Sequence, residues 1–267
     1  MIGGDSERMR NKVIQADRIS QIVTLIEQQG ARSIGSLAAH FGVSQETIRR
    51  DIRQLEARGR VTKVHGGVTL PDARLEAPYR ARLHERAEAK QRIAKIAARE
   101  VSEGMTVLID SGTTSFWVAR ELAHIARLTV VTNSLEVAGE ILGRTGQRLF
   151  LAGGAINSDY RAAFDADAIA YSRRFVVDLA ILSIGAIEAD RGFLDFEPDE
   201  AAYKRAMLDR CRRVMMVADI SKFERIGSAF VAGFADAHDL VTDMPPPQPI
   251  AEAARLHGTR LRVADSE

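Results

Sequence analysis

The chain has 267 residues, 46% of them hydrophobic, and 37 Lys and Arg against 36 Asp and Glu, a formal charge of +1. That length accommodates one sizeable core plus a small satellite domain. No run of 18 apolar residues appears and the first thirty residues lack an unbroken apolar stretch, so a membrane span and a secretory signal are not expected and a cytoplasmic location is. Cys211 is the single cysteine, which excludes an internal disulfide and reads as an inert buried thiol. Six scattered histidines give no metal-ligand spacing, so no metal is expected. The charge is uneven: residues 1–70 hold eleven Lys and Arg against seven Asp and Glu, hence +4, and the remainder is at −3. A basic head on a faintly acidic body is the pattern of a nucleic-acid-binding domain joined to a neutral module.

In chain order, Ile19, Ile22, Val23 and Ile26 fall at i, i+3, i+4 and i+7, which predicts a helix over 16–29 ended by Gly30. The same spacing returns at Ile34, Leu37, Ala38 and Phe41, closed by Gly42, and Ser44 then caps a third helix. Two helices joined by Phe41-Gly-Val-Ser44 read as a helix-turn-helix. On the third helix Ile48, Ile52 and Leu55 face the core, and Glu46, Arg49, Arg50 and Arg53 point the other way. Ser44, Gln45 and Thr47 at the helix start suit contacts to base edges or phosphates, while Arg49, Arg50 and Arg53 suit the DNA backbone or a guanine; a solvated amphipathic face is the other reading. The following Val61-Thr-Lys-Val-His-Gly-Gly-Val-Thr69 is a hairpin signal around Gly66-Gly67 that carries Lys63 and His65, and it reads as the wing of a winged helix-turn-helix.

Pro71 and Pro78 bracket a polar stretch, which sets the domains at 1–70, a linker at 71–84, and 85–267. Beyond a helix predicted over 85–101, apolar strands alternate with helices: Thr106–Ile109, Leu128–Thr132, Arg148–Leu151, Leu179–Ile184, Val214–Val217, Asp239–Thr242 and Arg260–Val263. Unbroken apolar strands between helices predict an α/β domain with a mostly parallel sheet, and ligands of such sheets bind beyond the carboxyl ends of the strands. There the segment Asp110-Ser111-Gly112-Thr113-Thr114-Ser115 leaves a strand and opens a helix, which makes it either a phosphate cradle or an ordinary helix cap. Asn133 and the pair Gly153-Gly154 follow two more strands, and Gly185 a fourth. Glu200 and Lys204 are i and i+4 on one helix; they are either a surface pair worth about 0.3–0.5 kcal/mol or a site in which Lys204 neutralises a bound anion. Lys222 poses the same question, and Arg161 is either an anion clamp or a solvated loop cation. No phosphate-binding Gly-x-x-x-x-Gly-Lys, no Gly-x-Gly-x-x-Gly after a strand and no His-Glu-x-x-His occurs, so no nucleotide cofactor or catalytic zinc is expected.

Five blocks, Val43-Ser-Gln-Glu-Thr-Ile-Arg-Arg-Asp51, Val64-His-Gly-Gly67, Ile109-Asp-Ser-Gly-Thr-Thr114, Val131-Thr-Asn-Ser134 and Lys204-Arg-Ala206, resemble in order the signature blocks of the DeoR family of transcriptional regulators. Leu194-Asp-Phe-Glu197 and Thr242-Asp-Met-Pro-Pro-Pro247 resemble the branch that represses glycerol 3-phosphate utilisation. The resemblance implies a repressor that binds operator DNA as a homodimer or homotetramer and a sensor domain of sugar-phosphate isomerase-like fold. It further implies that Ser111, Gly112, Thr113, Thr114, Asn133, Gly153, Gly154 and Lys204 surround a phosphorylated sugar or polyol, with Asp110 beneath. An active isomerase with a DNA-binding head, using Asp110, Asp195, Glu197 or Glu200 as base, is the alternative.

Overall fold

The computed structural model describes residues 15, 17–26, 32–64, 67–69, 79–223 and 225–264. The chain divides into two compact units, Met1–Glu85 and Arg86–Glu267.

The first unit opens with a helix over 17–26 (α1), followed by α2 (Ile34–Phe41) and α3 (Gln45–Ala57). Ser33 caps α2 by accepting from Ser36 N, and Gly42 ends it in the left-handed region at φ 62°, where a side chain is disfavoured. Ser44 Oγ then accepts from Thr47 N and starts α3. Ile22, Ile26, Leu37, Ile48, Ile52 and Leu55 bury the shared face of the three helices, each contributing about 1.5–3 kcal/mol over an exposed position. Strands β1 (Thr62–Val64) and β2 (Gly67–Thr69) form the expected antiparallel hairpin, with Lys63 opposite Val68. The hairpin is tied back to the start of α2 by Arg32 N to Val68 O at 2.8 Å and Val68 N to Arg32 O at 2.7 Å, a connection the sequence reading lacks. His65 and Gly66 lie outside the described residues. Within the segment read as linker, Tyr79–His84 form a helix, α4.

The second unit begins with α5 (Ala87–Ala98). Arg86 precedes it in the left-handed region at φ 52°, which is why the helix starts later than the periodicity alone predicts. The strands are β3 (Thr106–Ile109), β4 (Thr129–Thr132), β5 (Arg148–Leu151), β6 (Ile156–Asn157), β7 (Ala162–Ala163), β8 (Leu179–Ser183), β9 (Ala186–Glu188), β10 (Gly192–Asp195), β11 (Val214–Ala218), β12 (Ala229–Ala232), β13 (Asp239–Thr242) and β14 (Arg260–Val263). Seven make one sheet in the order β14-β13-β11-β8-β3-β4-β5, and all six of its pairings are parallel.

Burial on both faces follows from the alternation along each strand. Val107, Ile109, Leu179, Ile181, Met215 and Val217 pack against α5, α6 (Thr113–Leu122) and α7 (Leu135–Ile141). Leu108, Ala180, Leu182, Val214 and Met216 pack on the opposite side with α8 (Ala166–Ser172), α9 (Pro198–Leu208) and α10 (Gln248–Leu256). Two features were not expected. The segment around Phe193 is the middle strand of a small antiparallel sheet β12-β10-β9, and β6 and β7 form a hairpin. Parallel pairing brings every strand's carboxyl end to one edge, where the candidate residues sit.

Candidate functional site

On α3 the side chains of Gln45, Arg49, Arg50 and Arg53 are exposed, as is Lys63 on β1, and Thr47 is half-buried. Three of the cations are already engaged. Glu46 Oε1 accepts from Arg53 at 3.0 Å and Glu46 Oε2 lies 3.5 Å from Arg49, and Lys63 pairs with Glu56. No ion pair is seen for Arg50 among the described residues.

The sequence reading missed Asp51. It is fully buried and accepts from Arg18 Nε at 2.7 Å and Gln15 Nε2 at 3.0 Å, which ties α1 to α3. The signal was present: Ile48, Asp51, Ile52 and Leu55 form one i, i+3, i+4, i+7 stripe, and a charge on a core stripe must be paired.

In the second unit the corner between β3 and α6 is entirely buried from Asp110 to Ser115. Asp110 organises it. Its Oδ1 accepts from Ser115 Oγ and from Gly112 N at 3.4 Å, and its Oδ2 from Ser183 N at 3.0 Å and Ser183 Oγ at 3.3 Å. No side chain caps α6, whose N-cap is Gly112. A Cβ there would lie 1.5 Å from Ser183 Oγ, so only glycine lets β8 approach this closely.

Lys204 reaches the corner from α9 and is 1% exposed. Its Nζ donates to Ser183 O at 2.6 Å and Asp195 Oδ2 at 2.8 Å, and lies 2.9 Å from Glu200 Oε1 and 3.2 Å from Asp110 Oδ2. The surface-pair reading of Glu200 and Lys204 is therefore wrong, since both are buried. Burial works against the ammonium, but Asp195, Glu200 and Asp110 outweigh it and hold Lys204 protonated well above the ordinary lysine range. Ser111 Oγ adds a contact to Glu200 Oε1 at 3.5 Å, and Gly185 N donates to Asp195 Oδ1 at 2.8 Å. Asp195, Ser115 and Ser183 complete a cluster that spacing alone did not assemble. Glu197 stands apart as the N-cap of α9.

The other expected residues ring this cluster or leave it. Asn133, buried at the end of the neighbouring β4, donates through Nδ2 to Ala163 O at 2.9 Å. Gly154, after β5, leaves room for Asp165, whose carboxylate caps α8 and would meet a Cβ at 2.3 Å; Gly153 beside it is exposed. Arg161, in the left-handed region at φ 57°, pairs with Glu136 on α7. Lys222 belongs to a second polar group with Asp219 at the end of β11. Cys211 is half-buried, donates to Met207 O at 3.1 Å and is pushed up to about 12 by burial, which leaves it protonated and unreactive. Among the described residues no helix is long and apolar enough to cross a membrane, and no group of His, Cys, Asp or Glu has metal-binding arrangement.

A helix-turn-helix followed by a hairpin, joined to an α/β unit with its polar residues gathered along one sheet edge, is the architecture of a DNA-binding regulator with an appended sensor. Residues 18–74 match the DeoR-like helix-turn-helix domain and residues 85–244 the DeoR C terminal sensor domain, and the chain belongs to the DeoR family of transcriptional regulators. It is 34% identical to the glycerol-3-phosphate regulon repressor of Escherichia coli (strain K12) over 249 residues, 93% of this chain and 99% of that protein. It is also 34% identical to the transcriptional repressor AccR of Agrobacterium fabrum over 229 residues, 85% of this chain and 89% of that one. These relatives are transcriptional repressors rather than enzymes, which disfavours the isomerase alternative. Ribose 5-phosphate isomerase A from Methanocaldococcus jannaschii is similar at a TM-score of 0.39 and 16% identity, over 52% of this chain and 55% of that chain.

Proposed function

We propose that this chain represses genes of carbohydrate or polyol catabolism by binding operator DNA through α3 and the β1–β2 hairpin, and that a phosphorylated sugar or polyol releases it. Glycerol 3-phosphate is the first candidate, from the similarity to a glycerol-3-phosphate regulon repressor. One observation carries the reading: at the carboxyl end of a central strand, α6 opens without a side-chain cap beside a buried group of carboxylates. The amides of the first turn suit phosphate oxygens, and the Asp110, Asp195 and Glu200 carboxylates suit hydroxyl donors. Lys204 holds those carboxylates in place, so the anion is bound by the helix start rather than by a spare ammonium. Asn133 and Gly185 border this space from the adjoining strand ends, with Gly153, Gly154 and Arg161 farther out.

One recognition helix reads one half-site, so the working form is a dimer or tetramer in the cytoplasm. Moving occupancy from 1:99 to 99:1 requires about 5.5 kcal/mol of preference for the released state, a magnitude that several charge-assisted hydrogen bonds supply.

The test is a melting-temperature screen against phosphorylated trioses, pentoses, hexoses and polyols, followed by operator titration with each hit. A ligand at 100 times its Kd stabilises the native state by about 2.7 kcal/mol. Glycerol 3-phosphate is expected to raise the melting temperature and weaken operator binding, and Thr113→Glu to abolish that response with DNA binding intact. A normal response in Thr113→Glu, or no hit in the panel, refutes the reading.

A further inference from the structure

The sensor unit begins at Arg86, and this residue is fastened to the sheet edge that carries the Asp110 corner. Arg86 Nε lies 2.9 Å from Asp219 Oδ1 and its Nη2 donates to Asp243 Oδ2 at 2.8 Å. Both carboxylates are buried, while the arginine is 41% exposed in its side chain. Asp219 and Asp243 are the residues immediately after β11 and β13, whose last paired positions are Ala218 and Thr242. Arg86 therefore bridges two adjacent strand ends with the two arms of one guanidinium. The geometry is reinforced from below: Asp243 Oδ1 accepts from Ile220 N at 2.7 Å and Asp219 Oδ1 from Ser221 N at 3.0 Å, so neither carboxylate can turn away without unmaking a backbone hydrogen bond. Lys90, Lys222 and, at 3.9 Å from Asp243, Arg92 face the same pair.

The corner is two strands away. Ser183, which holds Asp110, pairs across to Val217 on β11, and Ile184 N donates to Val217 O at 3.3 Å. Any shift of Ser183 that made room at Gly112 would be passed to β11, the strand that Asp219 follows. Arg86 itself sits in the left-handed region at φ 52°, a conformation that an ordinary side chain keeps only when its surroundings enforce it.

We propose that Arg86 is the positioning residue through which ligand occupancy of the corner reaches the DNA-binding unit, because it fixes the first residue of the sensor to the ligand-bearing edge. This rests on the corner being the effector site. The test uses the full-length chain, glycerol 3-phosphate as the probe and a duplex selected from random sequence by the wild type. Ligand affinity is read by calorimetry and duplex affinity with and without ligand.

Wild type is expected to lose at least tenfold in duplex affinity when glycerol 3-phosphate is added. Arg86→Gln is expected to bind ligand and free duplex within threefold of wild type, yet to lose less than twofold on ligand addition. A purely structural residue would lower stability or both affinities and leave the ligand-induced ratio alone. If Arg86→Gln does not fold, Arg86→Lys and Asp243→Asn ask the same question, the lysine retaining charge but unable to bridge both carboxylates. A full response in these variants overturns the role of Arg86 alone; absence of ligand binding by the wild type overturns the effector reading and this inference with it.

Discussion

Ser183 occupies the space that a side chain at position 112 would need: a Cβ on Gly112 would stand 1.5 Å from Ser183 Oγ and 2.4 Å from Ser183 Cβ. Gly112→Ala is therefore expected to destabilise the sensor unit by about 2–3 kcal/mol through overpacking. Ser183→Gly should restore part of the loss in the double variant. Chemical denaturation of the four proteins measures both effects, and additive losses would show that the two residues do not compete for one volume.

Removing Lys204 leaves three carboxylates buried with no ammonium between them. Lys204→Met is expected to cost about 3–5 kcal/mol at neutral pH. Because the folded lysine is held well above its ordinary range, its contribution is complete below the unfolded value of about 10.4, and the deficit should shrink as the pH rises past that value. A deficit that stays the same from neutral pH to about one unit above that value would mean that packing, not charge, is what the lysine supplies.

Asp219 offers a sign that can be checked. Burial alone would raise its pKa, but Lys222, Ser221 and Lys90 more than offset this and hold the carboxyl below the usual range. Its folded value is thus depressed, so its contribution is complete above the unfolded value of about 3.9 and is lost as the pH falls through the folded one. The stability gap between wild type and Asp219→Asn should accordingly be widest near neutrality and close below about pH 4. Calorimetry across that range decides it, and a gap that widens toward acid would contradict the assignment.

The Arg18–Asp51 pair fixes α1 against α3. Asp51→Ala is expected to destabilise the first unit by about 1–3 kcal/mol, moderated because Arg18 can turn toward water, and to weaken operator binding by misplacing α3. Intact stability in this variant would rule out the pair as a structural tie.

Arg50 is the exposed cation on α3 with no ion pair among the described residues. Arg50→Ala is expected to weaken operator binding by about 1–3 kcal/mol and to relax preference at one base pair. A uniform loss across sequences, with the salt slope reduced by about one, would assign it to a phosphate instead; unchanged affinity would remove it from the interface.

The five inner strands of the parallel sheet were legible because a strand buried on both faces must be mostly apolar, as in Leu179–Ser183 and Val214–Ala218. Strands β9, β10 and β12 were not, since three or four residues between turns carry no readable period. In the site, Asp110 and the residues after it were visible as a strand-to-helix corner. Asp195 and Ser183 were not, because no local spacing tells that a residue ending β10 and one ending β8 share a lysine from α9. The fate of Lys204 turned on the same blindness: i, i+4 spacing with Glu200 looks alike on a wet face and in a buried cluster, and only the packing of α9 against β8 and β10 decides between them.

The order of strands in the large sheet bears on how the molecule is made. Ile109 pairs with Ile181, so β3 stands with an open edge while the ribosome is still producing the chain between them, and Asp110 stays hydrated until Ser183 and Lys204 emerge. A fragment ending before β8 would contain the whole strand-to-helix loop yet could not close it. The corner therefore closes only once Lys204 has been made, and non-local parallel pairing of this kind is slow and exposes apolar edges on the way. Newly synthesised chains are consequently most exposed to proteases and to aggregation during that interval.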